Sequence, residues 1–505
     1  MLSRPCLRAC HERAYARLTK RIDMPSLTQH ITHLRKSTFF SETLSHFRNY
    51  LSTRIATQAI SFISIPLVTR LLSPDEYGTY NVFLSYIGIF SVVLTLNLSS
   101  SVGRYFYENK DDFNSFVGTV ILVTTIQLAV STVIFVSVLD KLSASFALPA
   151  GLIMMMPIVT FIILVDSLFQ QIYQGLKESK KIAVVTIWRT YLTFGLGIVI
   201  VLLLASNRYR GLIWGQIIVG LVISAYLLRQ MRPYISWKFE ARHLRYIFSY
   251  SIPLIPYTLS GVILDQFDRI MINSYSGSAS AGLYSFAYNI GMLLSVFSGA
   301  LYQAWMPNYF EYMNKKDFSS LDLNAERMFR IILLAAAFLM FFGQNIGQLL
   351  AGRNYHESLH IVPVIVLGYV FYAIFPLYAW SMGYGYRTVW VSVIVLAAGI
   401  VNILLNRIFI PRYGYEAAAY ATLVSFILMA FMAWFANRFL LHLYTTPPSA
   451  ILRPLAVLVI FVAAAMLTQL FIKGPAIVFV AKILLMAGSA YALLGKYLRP
   501  LTAEA

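Results

Sequence analysis

Residues 246–291 read YIFSYSIPLIPYTLSGVILDQFDRIMINSYSGSASAGLYSFAYNIG. The stretch opens as an apolar helix, with Pro253 and Pro256 in its first turns and Asp265, Asp268 and Arg269 further along. It then meets a Gly/Ser-rich turn and restarts at Gly282-Leu283-Tyr284. Charges at such depth in hydrocarbon cost roughly 2.5–3.5 kcal/mol each on insertion scales, so they face a partner or a water-filled cavity. Prolines remove backbone hydrogen bonds and bend the helix that carries them. A bent, charged span that turns back on itself suits a transporter better than an anchor.

The rest of the chain has the same character. Of 505 residues, 58% are hydrophobic and 12% charged, and the mean hydropathy is +0.68. A soluble protein of this length cannot hide so much apolar surface, so the solvent is a bilayer. Runs of about 20 apolar residues, each enough to span, fall near 50–72, 79–103, 116–139, 148–170, 181–205, 210–230 and 246–272. Further runs fall near 283–306, 327–350, 359–380, 386–410, 415–440, 452–472 and 476–496. The expected fold is an all-α polytopic membrane protein with about 14 transmembrane helices. Outer-membrane strands would be shorter and strictly alternating.

The net charge of +19 reads as topology, not as nucleic-acid binding. With the N-terminus placed inside, 28 of the 40 Lys and Arg fall on the cytoplasmic side and 8 on the other. By the positive-inside rule both termini are expected in the cytoplasm. The two cysteines, Cys6 and Cys10, lie in a basic N-terminal extension and supply no framework for the spans. Residues 1–45 read as a disordered cytoplasmic tail, or as an over-extended start with Met24 as an alternative first residue.

Two halves superpose along the chain. Gly78-Thr79-Tyr80 opens the second helix as Gly282-Leu283-Tyr284 opens the eighth, and Tyr209-Arg210-Gly211 precedes the sixth as Arg412-Tyr413-Gly414 precedes the twelfth. Each half holds six helices, an even number, so the halves are parallel repeats about an axis along the membrane normal. The expected organisation is an N-lobe over 46–230, a cytoplasmic linker over 231–245, a C-lobe over 246–444, and two extra helices in 445–505. A central cavity is expected between the lobes.

At this level the residues resemble a known family. Ile65–Gly88, with Leu-Leu-Ser-Pro-Asp-Glu-Tyr-Gly at 71–78, is similar to the first hairpin of polysaccharide-exporting flippases of the multidrug/oligosaccharidyl-lipid/polysaccharide superfamily. Asp268-Arg269 with Gly277 and residues 281–288 resembles the second-half counterpart, and Tyr413–Thr422 is a third echo. The resemblance covers roughly residues 45–500. Drug exporters of the superfamily share the fold but typically have twelve helices. The resemblance implies a V-shaped pair of lobes that alternate between inward- and outward-open states. It implies translocation of an oligosaccharide carried on an isoprenoid (pyro)phosphate, the sugar head crossing the cavity while the tail stays in the bilayer. Membrane lipids are partners, and a polysaccharide polymerase and glycosyltransferases are expected neighbours in surface polysaccharide synthesis, O-antigen or exopolysaccharide. The expected site is the bacterial inner membrane.

Such a head group calls for arginine, whose planar fork matches phosphate, and for aromatic or amide groups facing sugar rings. Candidates for substrate contact are Arg54, Gln58, Asp166, Arg189, Asn289 and Asn402. Arg54 alternatively snorkels to the headgroups, and Asp166 alternatively pairs with Arg189. Asp265 and Arg269, one turn apart, alternatively satisfy each other, which leaves Asp268 as a carboxylate able to take a coupling proton or sodium ion. Asp265, Asp268, Arg269, Pro253 and Pro256 are therefore the coupling or gating candidates, and no other cofactor is expected. No enzyme is expected either. No P-loop occurs, and no loop between helices is long enough for a polymerase or ligase site. Outward movement of an anionic diphosphate from a negative cytoplasm gains roughly 2.3 kcal/mol per charge per 100 mV. A drug or cation antiporter of the same superfamily is the second reading.

Overall fold

The computed structural model describes residue 60, residues 63–471 and residues 474–498. Cys6, Cys10, Arg54, Gln58 and the extension 1–45 lie outside the described residues.

The described residues are helical with no strand. Residues 63–71 form α1, the end of the expected first span. The first half continues as α2 (Pro74–Thr95), α3 (Ser100–Glu108), α4 (Phe113–Ser137), α5 (Leu139–Phe146), α6 (Ala150–Gly175), α7 (Ser179–Leu203) and α8 (Tyr209–Met231). Then come α9 (Ala241–Gly291), α10 (Leu293–Lys315), α11 (Phe318–Leu350), α12 (Val362–Tyr372), α13 (Phe375–Tyr384), α14 (Thr388–Tyr413) and α15 (Glu416–Phe435). The last pair is α16 (Pro448–Phe471) and α17 (Pro475–Leu498). Among the described residues, 12 stretches are long and apolar enough to cross a bilayer.

One of those stretches, Ala241–Lys315, runs for 75 residues and supplies two crossings. Gly277 is the reason: its φ of 82° and ψ of 169° leave helical space inside α9. That backbone is cheap only for glycine. The chain reverses there, because the Tyr284 hydroxyl donates to Asp268 Oδ2 at 2.7 Å. Sixteen residues of straight helix would separate the two by about 24 Å. The break in α9 thus lies at Gly277, whereas Pro253 and Pro256 sit inside its helical first arm. With α1 and this reversal counted, the expectation of about 14 helices is met.

Local chemistry explains the start of α2. Ser73 caps the helix by accepting from Glu76 N at 3.2 Å, and the Glu76 carboxylate accepts from Ser73 N at 3.3 Å, a capping box with Pro74 at the first turn. Glu76 Oε1 also accepts from Arg208 N at 2.6 Å, which ties the α7–α8 connection to this end of the molecule. Helices α4, α6 and α8 pack around α2, with α7 outside them on α8 and α6; α14 and α15 pack with α9 and α12, and α16–α17 pack together on α11. Helix α9 lies between, in extensive contact with both α2 and α14.

The first arm of α9, residues 241–276, is about 54 Å long, well beyond the ~30 Å of a hydrocarbon core. Its first turns therefore stand outside the hydrocarbon, and there they bind the first half of the chain. Asp112 accepts from Arg242 at 2.8 Å, from Tyr105 at 2.9 Å and, on Oδ2, faces His243 Nε2 at 3.0 Å. Tyr246 donates to Glu108 at 2.7 Å. Burial works against the Asp112 charge, but these partners together hold its carboxyl below the usual carboxylate range.

Candidate functional site: a two-chambered cavity between the halves

At the Gly277 end the two halves close on each other. A Cβ on Gly78 would stand 1.7 Å from Ser278 O, and one on Gly282 would stand 1.9 Å from Pro74 O. Ser278 donates to Asp75 across the same crossing. Around it, Tyr355 donates to Leu72 O at 3.0 Å and Asn289 donates to the Tyr77 hydroxyl at 2.9 Å. Arg70 reaches Leu349 O at 3.3 Å.

Below this seal the middle of α9 stands off from its neighbours and leaves two adjoining cavities. One, about 440 Å³, lies between α2, α9 and helices α12 to α15; it is lined by Asp265, Tyr257, Thr258 and Tyr372 among others. The second, about 350 Å³, lies between α1, α2, α7–α10 and is lined by Arg269, Asn289, Tyr77, Tyr80 and Asn81. Leu84 and Gln266 line both. Both volumes fall in the range of small-molecule sites.

Each chamber has one charged residue among its described lining. Arg269 is buried, yet it is not used up by a carboxylate: its Nη1 donates to the Asp265 backbone oxygen at 2.7 Å and to Gln266 Oε1 at 3.2 Å. Its guanidinium lies 4.6 Å from the centre of the Tyr288 ring, a cation–π contact. The Asp265 side chain is exposed to the other chamber. The alternative of a self-satisfied Asp265–Arg269 pair is thus not the arrangement found.

Asp268 points away from both cavities into the second half. Oδ2 accepts from Tyr284 and from Thr422, each at 2.7 Å, and Oδ1 accepts from Asn406 at 2.6 Å. Asn406 also donates to Asn402 Oδ1 at 3.0 Å, and Asn402 donates to Thr422 at 3.2 Å. All five side chains are buried, and Asn406 Oδ1 has no hydrogen-bond partner among the described residues. The result is an oxygen-rich knot joining α9, α14 and α15. Asn402 belongs to this knot and not to the cavity lining.

The other candidates separate. Asp166 and Arg189 form an ion pair at 2.7 Å, with Gln170 donating to Asp166 at 2.7 Å, so these two mainly satisfy each other between α6 and α7. Asn289 lines the Arg269 chamber. Outside these candidates, Lys482 donates to Asn345 Oδ1 at 3.2 Å. Sequence reasoning passed over Gln266, Tyr77, Tyr80 and Asn81, because nothing in a single helix tells which uncharged polar side chains will converge. Thr422 was within a quoted motif but carried no chemical signal of its own.

A family model described as "Polysaccharide biosynthesis protein" matches residues 48–313, more than half of the chain. The chain belongs to the polysaccharide biosynthesis protein family. A Haemophilus influenzae protein of the Lsg locus is 22% identical to this family member over 364 residues, covering 64% of this chain and 83% of that one. A second protein of that organism, an uncharacterized membrane protein, is 21% identical over 356 residues, 64% of this chain and 82% of its own. Among solved structures, the lipid II flippase MurJ in an inward closed conformation matches with a TM-score of 0.70 at 14% identity, covering 90% of this chain and all of MurJ. An inward-facing multidrug resistance MATE family transporter of the MOP superfamily matches with a TM-score of 0.60 at 15% identity, covering 76% and 97%. The polysaccharide biosynthesis family member thus has the MOP transporter fold, and the resemblance read from its hairpins holds.

Proposed function

We propose that this family member is a flippase that carries a lipid-linked oligosaccharide, joined to an isoprenoid pyrophosphate, from the inner to the outer leaflet of a bacterial inner membrane by alternating access. The observation that carries this reading is the buried Arg269 guanidinium on a cavity wall, bonded among the described residues only to neutral oxygens and surrounded by amides and tyrosines. A buried cation without a carboxylate partner asks for an anion. A diphosphate provides it, and Asn81, Asn289, Tyr77 and Tyr80 offer hydrogen-bonding and stacking faces to a sugar.

Coupling is assigned to the Asp268 knot. Its carboxylate oxygens, together with Asn402 Oδ1, Asn406 Oδ1 and the Thr422 hydroxyl, offer the hard oxygen donors that a sodium ion prefers; a proton on Asp268 is the other form of the same idea. Binding there changes how α9 is held against α14 and α15, and α9 is the helix shared by both halves. Pro253 and Pro256 lie between its first turns, fixed to Asp112 and Glu108, and its Asp268 segment, so bending between those anchors links ion binding to opening. Both termini are placed in the cytoplasm, and the polymerase and glycosyltransferases of a surface polysaccharide are the working partners.

The exposed Asp265 carboxylate favours a second reading, export of an organic cation. Deleting the gene separates them. On the flippase reading, complete lipid-linked units accumulate in the cytoplasmic leaflet; a change in toxin tolerance with unaltered glycan lipids would overturn it in favour of the antiporter.

A further inference from the structure

The charges of the cavity are divided between its chambers. Asp265 and Arg269 are one helical turn apart, a spacing at which side chains can pair. Yet Arg269 bonds the backbone oxygen of Asp265 and the Gln266 amide, and its guanidinium carbon lies over the Tyr288 ring. The Asp265 carboxylate is left exposed in the neighbouring chamber, where no other lining residue described is charged. Tyr257, Tyr372 and Phe375 stand around it.

We propose that Asp265 is a specificity-determining residue that restricts the transported glycan to neutral or amine-bearing sugars and rejects acidic ones. The proposal rests on the flippase reading above. A head group whose diphosphate sits against Arg269 extends past Gln266 and Leu84, the residues common to both chambers, and brings its sugars to Asp265. An ionised carboxylate only accepts hydrogen bonds. Sugar hydroxyls and ammonium groups donate to it, and the tyrosine rings cover the apolar faces of the sugar. A hexuronate brings a second carboxylate into the same enclosed space, where like charges facing each other are strongly unfavourable.

The test uses the full-length protein in proteoliposomes with three synthetic probes, each an isoprenyl diphosphate bearing a disaccharide that is neutral, amine-bearing or uronate-bearing. The readout is the ratio of acidic to neutral translocation. Wild type should move the acidic probe slower by on the order of tenfold or more. Asp265→Asn should raise the ratio by about that factor whatever its absolute rates, while Asp265→Glu should keep it low. Equal rates for all three probes in wild type, or an unchanged ratio in Asp265→Asn, overturns the proposal and leaves the flippase reading standing. Wild type that moves none of the probes and does not bind the isoprenyl diphosphate overturns both.

Discussion

Gly78 and Gly282 meet backbone to backbone: a Cβ on the first would lie 2.7 Å from the amide nitrogen of the second, and a Cβ on the second 2.9 Å from that of the first. They are 204 positions apart and occupy matching places in the two halves. Where an approximate two-fold axis passes between two helices, equivalent residues contact each other. The sequence repeat is therefore also a physical contact, and it seals one end of the cavity.

Gly78→Val and Gly282→Val should each prevent that closure. The clashing atoms are backbone, so no side chain can swing aside, and overpacking of this sort costs about 1–3 kcal/mol or more. We expect lower thermal stability of the purified protein and loss of transport. Either variant with wild-type melting and wild-type transport would show that the crossing is not required.

Arg269→Gln should weaken binding of an isoprenyl diphosphate by about ten- to a hundredfold, since a hydrogen bond to a charged group is worth roughly 1.5–3 kcal/mol. Arg269→Lys keeps the charge but loses the planar fork of donors and should recover only part of the affinity. Isothermal titration in nanodiscs measures both. An Arg269→Gln protein with unaltered affinity would remove Arg269 from the site.

Asp268→Asn should abolish the response of transport to an imposed ion gradient. In proteoliposomes, wild type is expected to accelerate when either a proton or a sodium gradient is applied, and the variant to respond to neither. Replacing one acceptor of three hydrogen bonds also costs stability, about 1–3 kcal/mol. A variant as gradient-sensitive as wild type would relegate the knot to structure.

Asp112 gives a pH dependence with a definite sign. Its folded carboxyl is held below the ordinary value of 3.8, through His243, Tyr105 and Arg242 acting against its burial. A depressed acid stabilises the fold above its unfolded value and loses that contribution as pH falls through the folded one. Comparing melting of wild type with Asp112→Asn, we expect wild type to be more stable at neutral pH. The gap should close as the solution is acidified below the ordinary carboxylate range. A gap that is constant with pH would mean that Asp112 acts through shape alone.

What could be read along the chain was whatever local chemistry or periodicity dictates. Apolar length gives the spans, because each must satisfy its own backbone in lipid. The Ser73–Glu76 cap, the glycine that permits reversal at 277 and the kinship of residues 78–80 with 282–284 are likewise written in adjacent residues. Asp268 and Arg269 were marked as unusual by their depth. Their roles were not, since neighbours in sequence on a helix point in different directions and meet different helices. Only the packing of α9 against α14 and α15 decided that Asp268 would be enclosed by Asn402, Asn406, Thr422 and Tyr284. Only its packing against α2 and the gap beyond left Arg269 to one chamber and Asp265 to another. The same holds for Asp166 and Arg189, which are 23 positions apart in sequence and 2.7 Å apart in space. Hydrophobic length specifies that a helix crosses the bilayer, whereas rotation about its axis, set by contacts with distant helices, specifies what its charges see.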